Sequence, residues 1–315
     1  MIRLAVLPRL CLALLPLSGA AFEPSPGVKV DRFIALTEAP WRGDVTKDAP
    51  LSSRENLVVL RRGDMELKID VYRPDDERVL PAVLMVHGGG WTGGSKEGMR
   101  SLAKALAARG WVTACASYRL AGQAPFPAAV HDVKAAVRWL REQAGEHGVD
   151  PQRVGAVGGS AGGHLVGMVA TTADRLLEES DGAWAGQSSR LGAAVLMGAG
   201  VDQLARALES PKPIASQLIF FGGPVTEKRE IYRQASPFHQ LTKACPPLLF
   251  LDGEKDDPGA RYVTMRQRMD ELGLAHELAV VEGCAHGAWG KSPWLERMVG
   301  EMDRFLTARL KSGVR

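Results

Sequence analysis

Gly158-Gly159-Ser160-Ala161-Gly162 places a serine where its hydroxyl can act as a nucleophile. The run fits G-x-S-x-G. Arg153–Val157 before it reads as a short buried strand, and Gly163–Ala170 after it as a helix. A serine on such a sharp strand-to-helix turn projects its hydroxyl from the sheet edge. Small neighbours permit the strained backbone and the approach of a substrate carbonyl. In a chain with 35 glycines the pentapeptide alone is weak, and a glycine-rich connecting turn is the bland alternative. The flanking strand and helix favour the nucleophile.

A serine hydroxyl needs a base within hydrogen-bond reach, and the base needs an orienting carboxylate. In an open α/β sheet, functional groups gather at the carboxyl ends of the strands. Of the seven histidines, that rule selects His286 in Gly283-Cys284-Ala285-His286-Gly287, just after the last expected strand. His276 starts a strand and lies at the wrong edge. His131 and His147 sit in or just after a helix, and His239 in a later insertion. His164 is one turn into the helix after Ser160 and is expected to pack beneath it. His87 ends a strand but leads a glycine run ahead of the serine. The carboxylate is expected in the loop Asp252–Pro258. Asp256 is favoured and Asp257 comes next, because adjacent side chains point differently. Asp252 still belongs to its strand, and Asp202 is a distant alternative. A solvated turn accounts for one of the paired aspartates but not both. The chain order Ser, Asp, His is that of elbow-type hydrolases.

His87-Gly88-Gly89-Gly90-Trp91 follows another apolar strand. Three glycines let backbone N–H groups face a pocket where a carbonyl oxygen becomes anionic. The expected donors are Gly89, Gly90 and the N–H of Ala161. A phosphate-binding loop is excluded, because no Gly-Lys-Ser/Thr follows. Trp91 and Trp289 flank the expected site. They are candidates to bind substrate, as an acyl pocket or a sugar platform, with plain core packing an equal alternative. Asp132, early in a helix, could cap that helix or brace the glycine loop, and a structural role is favoured.

The elements that would position these residues alternate. Leu57–Leu60 and Met65–Arg73 form a hairpin around Arg62-Gly63-Asp64. Strands follow at Pro81–His87, Trp111–Ser117, Leu191–Ala199, Pro247–Asp252 and His276–Val281. Helices are expected at Ser95–Arg109, Phe126–Ala144, about 259–272 and Trp294–Leu310. This alternation predicts an α/β fold, a parallel sheet with helices on both faces. Residues 21–56 read as an arm or linker and 57–315 as the domain. Residues 202–245 break the rhythm and read as a small lid insertion.

The chain has 315 residues, 45% hydrophobic and 24% charged, ordinary for a globular protein. Its formal charge of +3, without a basic run, argues against a nucleic-acid partner. Arg3 and Arg9, the apolar run Leu10–Leu17 and Ser18-Gly19-Ala20-Ala21 read as a signal peptide over 1–20. Its apolar run is too short to span a bilayer, so a secreted or periplasmic protein without stable membrane insertion is expected. Outside the leader, Cys115 lies in an apolar strand, and Cys245 and Cys284 can pair in an oxidising compartment.

Several motifs together resemble α/β-hydrolase esterases: His87–Trp91, Ser117-Tyr118-Arg119-Leu120, Phe126-Pro127-Ala128, Gly158–His164 and the late Asp and His. The branch they resemble is that of the hormone-sensitive-lipase-like enzymes and the bacterial feruloyl and acetyl carbohydrate esterases. Ala235-Ser236-Pro237 and Pro246-Pro247 look like the carbohydrate-esterase branch. The resemblance spans about 55–312 and implies an eight-stranded sheet, a triad of Ser160, Asp256 and His286, and no cofactor or metal. One departure is that such chains often read Asp-x-x-Val-Pro where this one reads Asp256-Asp257-Pro258-Gly259, which keeps Asp257 open. The expectation is a secreted serine esterase acting on small acyl or aryl esters, such as acetyl or feruloyl groups on a polysaccharide. An amidase or peptidase using the same residues is the runner-up. A non-catalytic binding protein is the alternative from another class.

Overall fold

Leu80–Val86, Val112–Ala116, Ala194–Met197 and Leu248–Gly253 are buried at every position. Strands apolar on both faces need cover on both, which is the condition of a parallel sheet between two helix layers. The computed structural model describes residues 24, 27–40, 50–173 and 183–311. The leader expected at 1–20 lies outside the described residues.

The strands are β1 (Arg32–Ile34), β2 (Leu51–Arg62), β3 (Met65–Pro74), β4 (Leu80–Val86), β5 (Val112–Ala116), β6 (Val149–Gly159), β7 (Ala194–Met197), β8 (Leu248–Gly253) and β9 (His276–Val281). They form one sheet in the order β1-β9-β8-β7-β6-β4-β5-β3-β2. Every neighbouring pair is parallel except the two made by β3. The fold is the α/β-hydrolase fold, with nine strands among the described residues rather than eight. The added strand, β1, comes from the stretch read as an arm. Phe33 pairs with Val280, and Asp31 beside it accepts hydrogen bonds from Leu278 N at 2.8 Å and Arg266 Nη2 at 2.6 Å. The hairpin likewise starts at Leu51 rather than Leu57.

The helices are α1 (Arg100–Ala107), α2 (Ala128–Glu142), α3 (Ala144–His147), α4 (Ala161–Thr172), α5 (Gln203–Glu209), α6 (Ala215–Phe221), α7 (Val225–Gln234), α8 (Pro237–Gln240), α9 (Val263–Leu272) and α10 (Trp294–Leu306). Successive strand residues face opposite layers. Val83, Met85, Leu249 and Leu251 pack with Leu102 and Leu106 of α1 and Met298 and Phe305 of α10. Leu84, Val86, Leu248 and Phe250 pack with Val133 of α2, Leu165 of α4 and Met265 of α9.

The 202–245 insertion folds as α5 to α8 and is anchored to the core. Phe220 stacks on Trp91 with ring centroids 4.7 Å apart, and its carbonyl accepts from Phe126 N at 2.8 Å. Because β4, β6, β7, β8 and β9 run in one direction, the segments that follow them emerge at one sheet edge. Those segments carry Gly88, Ser160, Gly198, Asp256 and His286.

Candidate active site

Ser160 joins β6 directly to α4 with φ +54° and ψ −118°, a conformation a serine adopts only under constraint. Two hydrogen bonds hold it there. Ser160 N donates to Met197 O at 2.7 Å, and Ser160 O accepts from His164 N at 3.0 Å. The turn is tight enough that a Cβ on Gly162 would lie 2.2 Å from Val86 O. Glycine is therefore required inside α4, where alanine would otherwise be the better helix former.

Three side chains form a continuous hydrogen-bonded chain. Ser160 Oγ lies 2.9 Å from His286 Nε2, and His286 Nδ1 lies 2.7 Å from Asp256 Oδ2. With Nδ1–H donating to the carboxylate, Nε2 is free to accept the serine proton. Asp256 is 8% exposed, while the His286 side chain is 45% exposed, so the chain runs from the interior to an open surface. Burial alone would raise the Asp256 carboxyl. The His286 hydrogen bond and the Arg261 charge outweigh it, and hold the group below the ordinary carboxylate range. The structure thus separates the adjacent aspartates. Asp257 has φ +46° and lines a cleft of about 630 Å³ with Asp202, Arg206, Phe238, Arg261 and Thr264.

Gly198, the first residue after β7, supports the Asp256–His286 contact. It has φ +55°, and a Cβ there would lie 2.7 Å from Asp256 Oδ2 and 2.9 Å from His286 Nδ1. Its N–H donates to Asp252 Oδ1 at 3.0 Å. Asp252 also accepts from Gly259 N at 3.1 Å and Tyr262 OH at 2.9 Å, and the Tyr262 oxygen accepts from Ala199 N at 2.9 Å. Asp252 is fully buried, which pushes its carboxyl up to about 6 against the opposing Arg261 charge. It therefore belongs to the scaffold beneath the site.

The glycine loop lies directly beside Ser160. The Cβ position of Gly88 is 2.8 Å from Gly159 O and 3.2 Å from the Ser160 Cβ. Gly89 O accepts from Thr92 N at 3.2 Å and Gly93 N at 3.0 Å, which turns the loop's carbonyl inward. Among the described residues no acceptor takes the N–H of Gly89, Gly90 or Ala161. Tyr118 OH donates to His87 O at 3.0 Å, and its ring stacks on His87 at 4.2 Å. Asp132 braces this assembly. It accepts from Arg119 N at 2.8 Å and from the Arg119 guanidinium at 2.7 to 3.1 Å.

Both tryptophans, read as substrate contacts or core packing, are buried. Trp91 is 4% exposed and Trp289 6%. Trp91 Nε1 donates to His164 Nδ1 at 3.1 Å, and His164 Nε2 donates to Ala235 O at 2.7 Å. Burial pushes His164 down to about 4, so it is a neutral link between the glycine loop and the insertion. Trp289 lies under Gly159 and meets His286 edge-on at 5.1 Å. Cys115, Cys245 and Cys284 are buried free thiols, so Cys245 and Cys284 are not paired. No group of three His, Cys, Asp or Glu among the described residues could hold a metal. None of the described helices is long and apolar enough to cross a membrane.

Known proteins share this architecture. Esterase LipC of Mycobacterium tuberculosis is 31% identical over 208 residues, 63% of this chain and 50% of the relative. The chain spans about half the length of the curated relatives it matches. The thermophilic esterase Est2 of Thermogutta terrifontis superposes with a TM-score of 0.68 at 28% identity, covering 83% of this chain and 95% of Est2. A carbohydrate esterase from gut microbiota superposes with a TM-score of 0.74 over 85% of this chain and 99% of its own, at 22% identity. Residues 69–267, which carry the glycine loop, Ser160 and Asp256, match the BD-FAE family, and the chain belongs to that family.

Proposed function

We propose that this protein is a serine carboxylic-ester hydrolase acting through an acyl-enzyme on Ser160. The observation that carries it is the hydrogen-bonded chain from Asp256 through His286 to Ser160. Ser160 Oγ attacks the ester carbonyl while His286 Nε2 takes its proton. Asp256 holds the imidazole in that tautomer and stabilises the imidazolium. The unused N–H groups of Gly89, Gly90 and Ala161 receive the oxyanion, each worth roughly a hundredfold or more in rate. His286 then protonates the departing alcohol, and later activates the water that releases the acid.

The substrate is a small acyl or aryl ester, such as an acetyl or feruloyl group, carried on a carbohydrate. Exposure of His286 leaves room for a large alcohol, and the cleft of about 630 Å³ beside Arg261 offers Asp202, Arg206, Ser210 and Thr264 to hydroxyls among apolar neighbours such as Phe238 and Val263. The short, anchored insertion bounds the site as a lid. The leader at 1–20 would deliver the enzyme outside the cytoplasm, where such esters occur. A panel of nitrophenyl acetate, acetylated xylan, a feruloyl sugar ester and an aryl amide tests this. Hydrolysis of the carbohydrate esters with little amide turnover is expected. Faster amide than ester turnover would overturn it.

A further inference from the structure

We infer that Arg261 is a positioning residue that sets the basicity of the Asp256–His286 pair. This rests on the esterase mechanism above and extends it. Arg261 grips the acid and its support together. Nη2 donates to Asp256 Oδ1 at 2.9 Å and to Asp256 O at 2.6 Å, and Nη1 donates to Gly198 O at 3.0 Å. One planar fork thus joins the carboxylate to the glycine on which the Asp256–His286 contact rests. With Oδ1 held by Arg261, Oδ2 is the oxygen left for His286 Nδ1.

The grip also has an electrostatic consequence. Arg261 is a fixed cation whose side chain is 22% exposed, and it shares the carboxylate that would otherwise serve the imidazolium alone. The other charged or titratable groups around the pair are Asp252 at the end of β8, Asp257 on the acid's own loop, Tyr262, Cys284 after β9 and Arg206 of α5. Burial holds Tyr262 and Cys284 in their neutral forms at neutral pH, so neither supplies a compensating charge. Arg261 alone among these groups is bonded to the Asp256 side chain.

Removing the cation therefore favours the imidazolium, and the base stays protonated to higher pH. For partly screened charges several ångströms apart, the expected effect is on the order of one pH unit. The test measures kcat/KM against pH with nitrophenyl acetate for wild type, Arg261→Gln and Arg261→Lys. The rate of Ser160 labelling by a fluorophosphonate is measured over the same range, because it reads the base without needing the right ester. Arg261→Gln should move the acid limb of both profiles up by about one unit and lower kcat about tenfold. Arg261→Lys should return the limb towards wild type, because the charge returns, while leaving kcat reduced, because the fork does not. An unmoved limb in folded Arg261→Gln, or a Lys variant that behaves like the Gln variant, would overturn the inference. A wild type that labels but cleaves no ester would refute the esterase mechanism instead, and the labelling profiles would still decide the role of Arg261.

Discussion

Gly198→Ala places a single methyl group under the Asp256–His286 contact. The new Cβ would lie 2.7 Å from Asp256 Oδ2, 2.9 Å from His286 Nδ1 and 3.0 Å from His286 Cε1. Comfortable contacts need about 3.5 Å, so the carboxylate or the ring must retreat by about 0.7 Å. Misplacement of this size in a catalytic array costs on the order of a hundredfold in rate. Alanine at φ +55° adds about 1 to 2 kcal/mol of backbone strain, so the melting temperature should fall by only several degrees in a domain of this size. Gly273→Ala is the control. Gly273 has φ +68° with nothing within 4 Å of its Cβ position, so it carries the same strain without the clash. Steady-state kinetics on nitrophenyl acetate and thermal unfolding should show both variants slightly less stable. Only Gly198→Ala should lose kcat by about a hundredfold. If Gly198→Ala kept kcat within threefold of wild type, the support assigned to Gly198 would be wrong.

Three further substitutions probe the same edge. Asp256→Asn should lower kcat by roughly 10³ to 10⁴, because the amide no longer fixes the imidazole tautomer, whereas Asp257→Asn should stay within threefold by the same kinetic assay. Gly162→Ala reverses the usual helix preference. Alanine normally gains about 1 kcal/mol inside a helix, but here its Cβ meets Val86 O at 2.2 Å and His87 O at 2.4 Å, so urea unfolding should show a loss of about 3 kcal/mol.

Ser160, His286 and the glycine loop at 88–90 were legible because each sits in a local pattern at a strand's end. The G-x-S-x-G turn points to Ser160 and the strand-end rule to His286, and the structure brings them within 2.9 Å. The choice between Asp256 and Asp257 was not legible. It turns on the positive φ of Asp257, which sends adjacent side chains apart and which no spacing rule reports. Arg261 and Gly198 went unnoticed for a related reason. Their roles arise where a turn after β8 meets the end of β7, a contact between segments far apart in sequence. The tryptophans stayed open in the sequence because an aromatic beside a glycine loop is equally suited to a pocket or to packing, and the structure buries both. Strand β1 was missed because Arg32–Ile34 is too short to show alternation, and its partner β9 comes at the other end of the chain.

The proposed esterase mechanism requires a covalent acyl-enzyme at Ser160. Mass spectrometry after reaction with a fluorophosphonate, with nitrophenyl acetate turnover measured alongside, tests it most directly. One adduct per chain is expected, on the peptide containing Ser160, with Ser160→Ala unlabelled and its kcat lower by about 10⁵ or more. An adduct on another residue, or a folded Ser160→Ala that turns over ester at the wild-type rate, would contradict it.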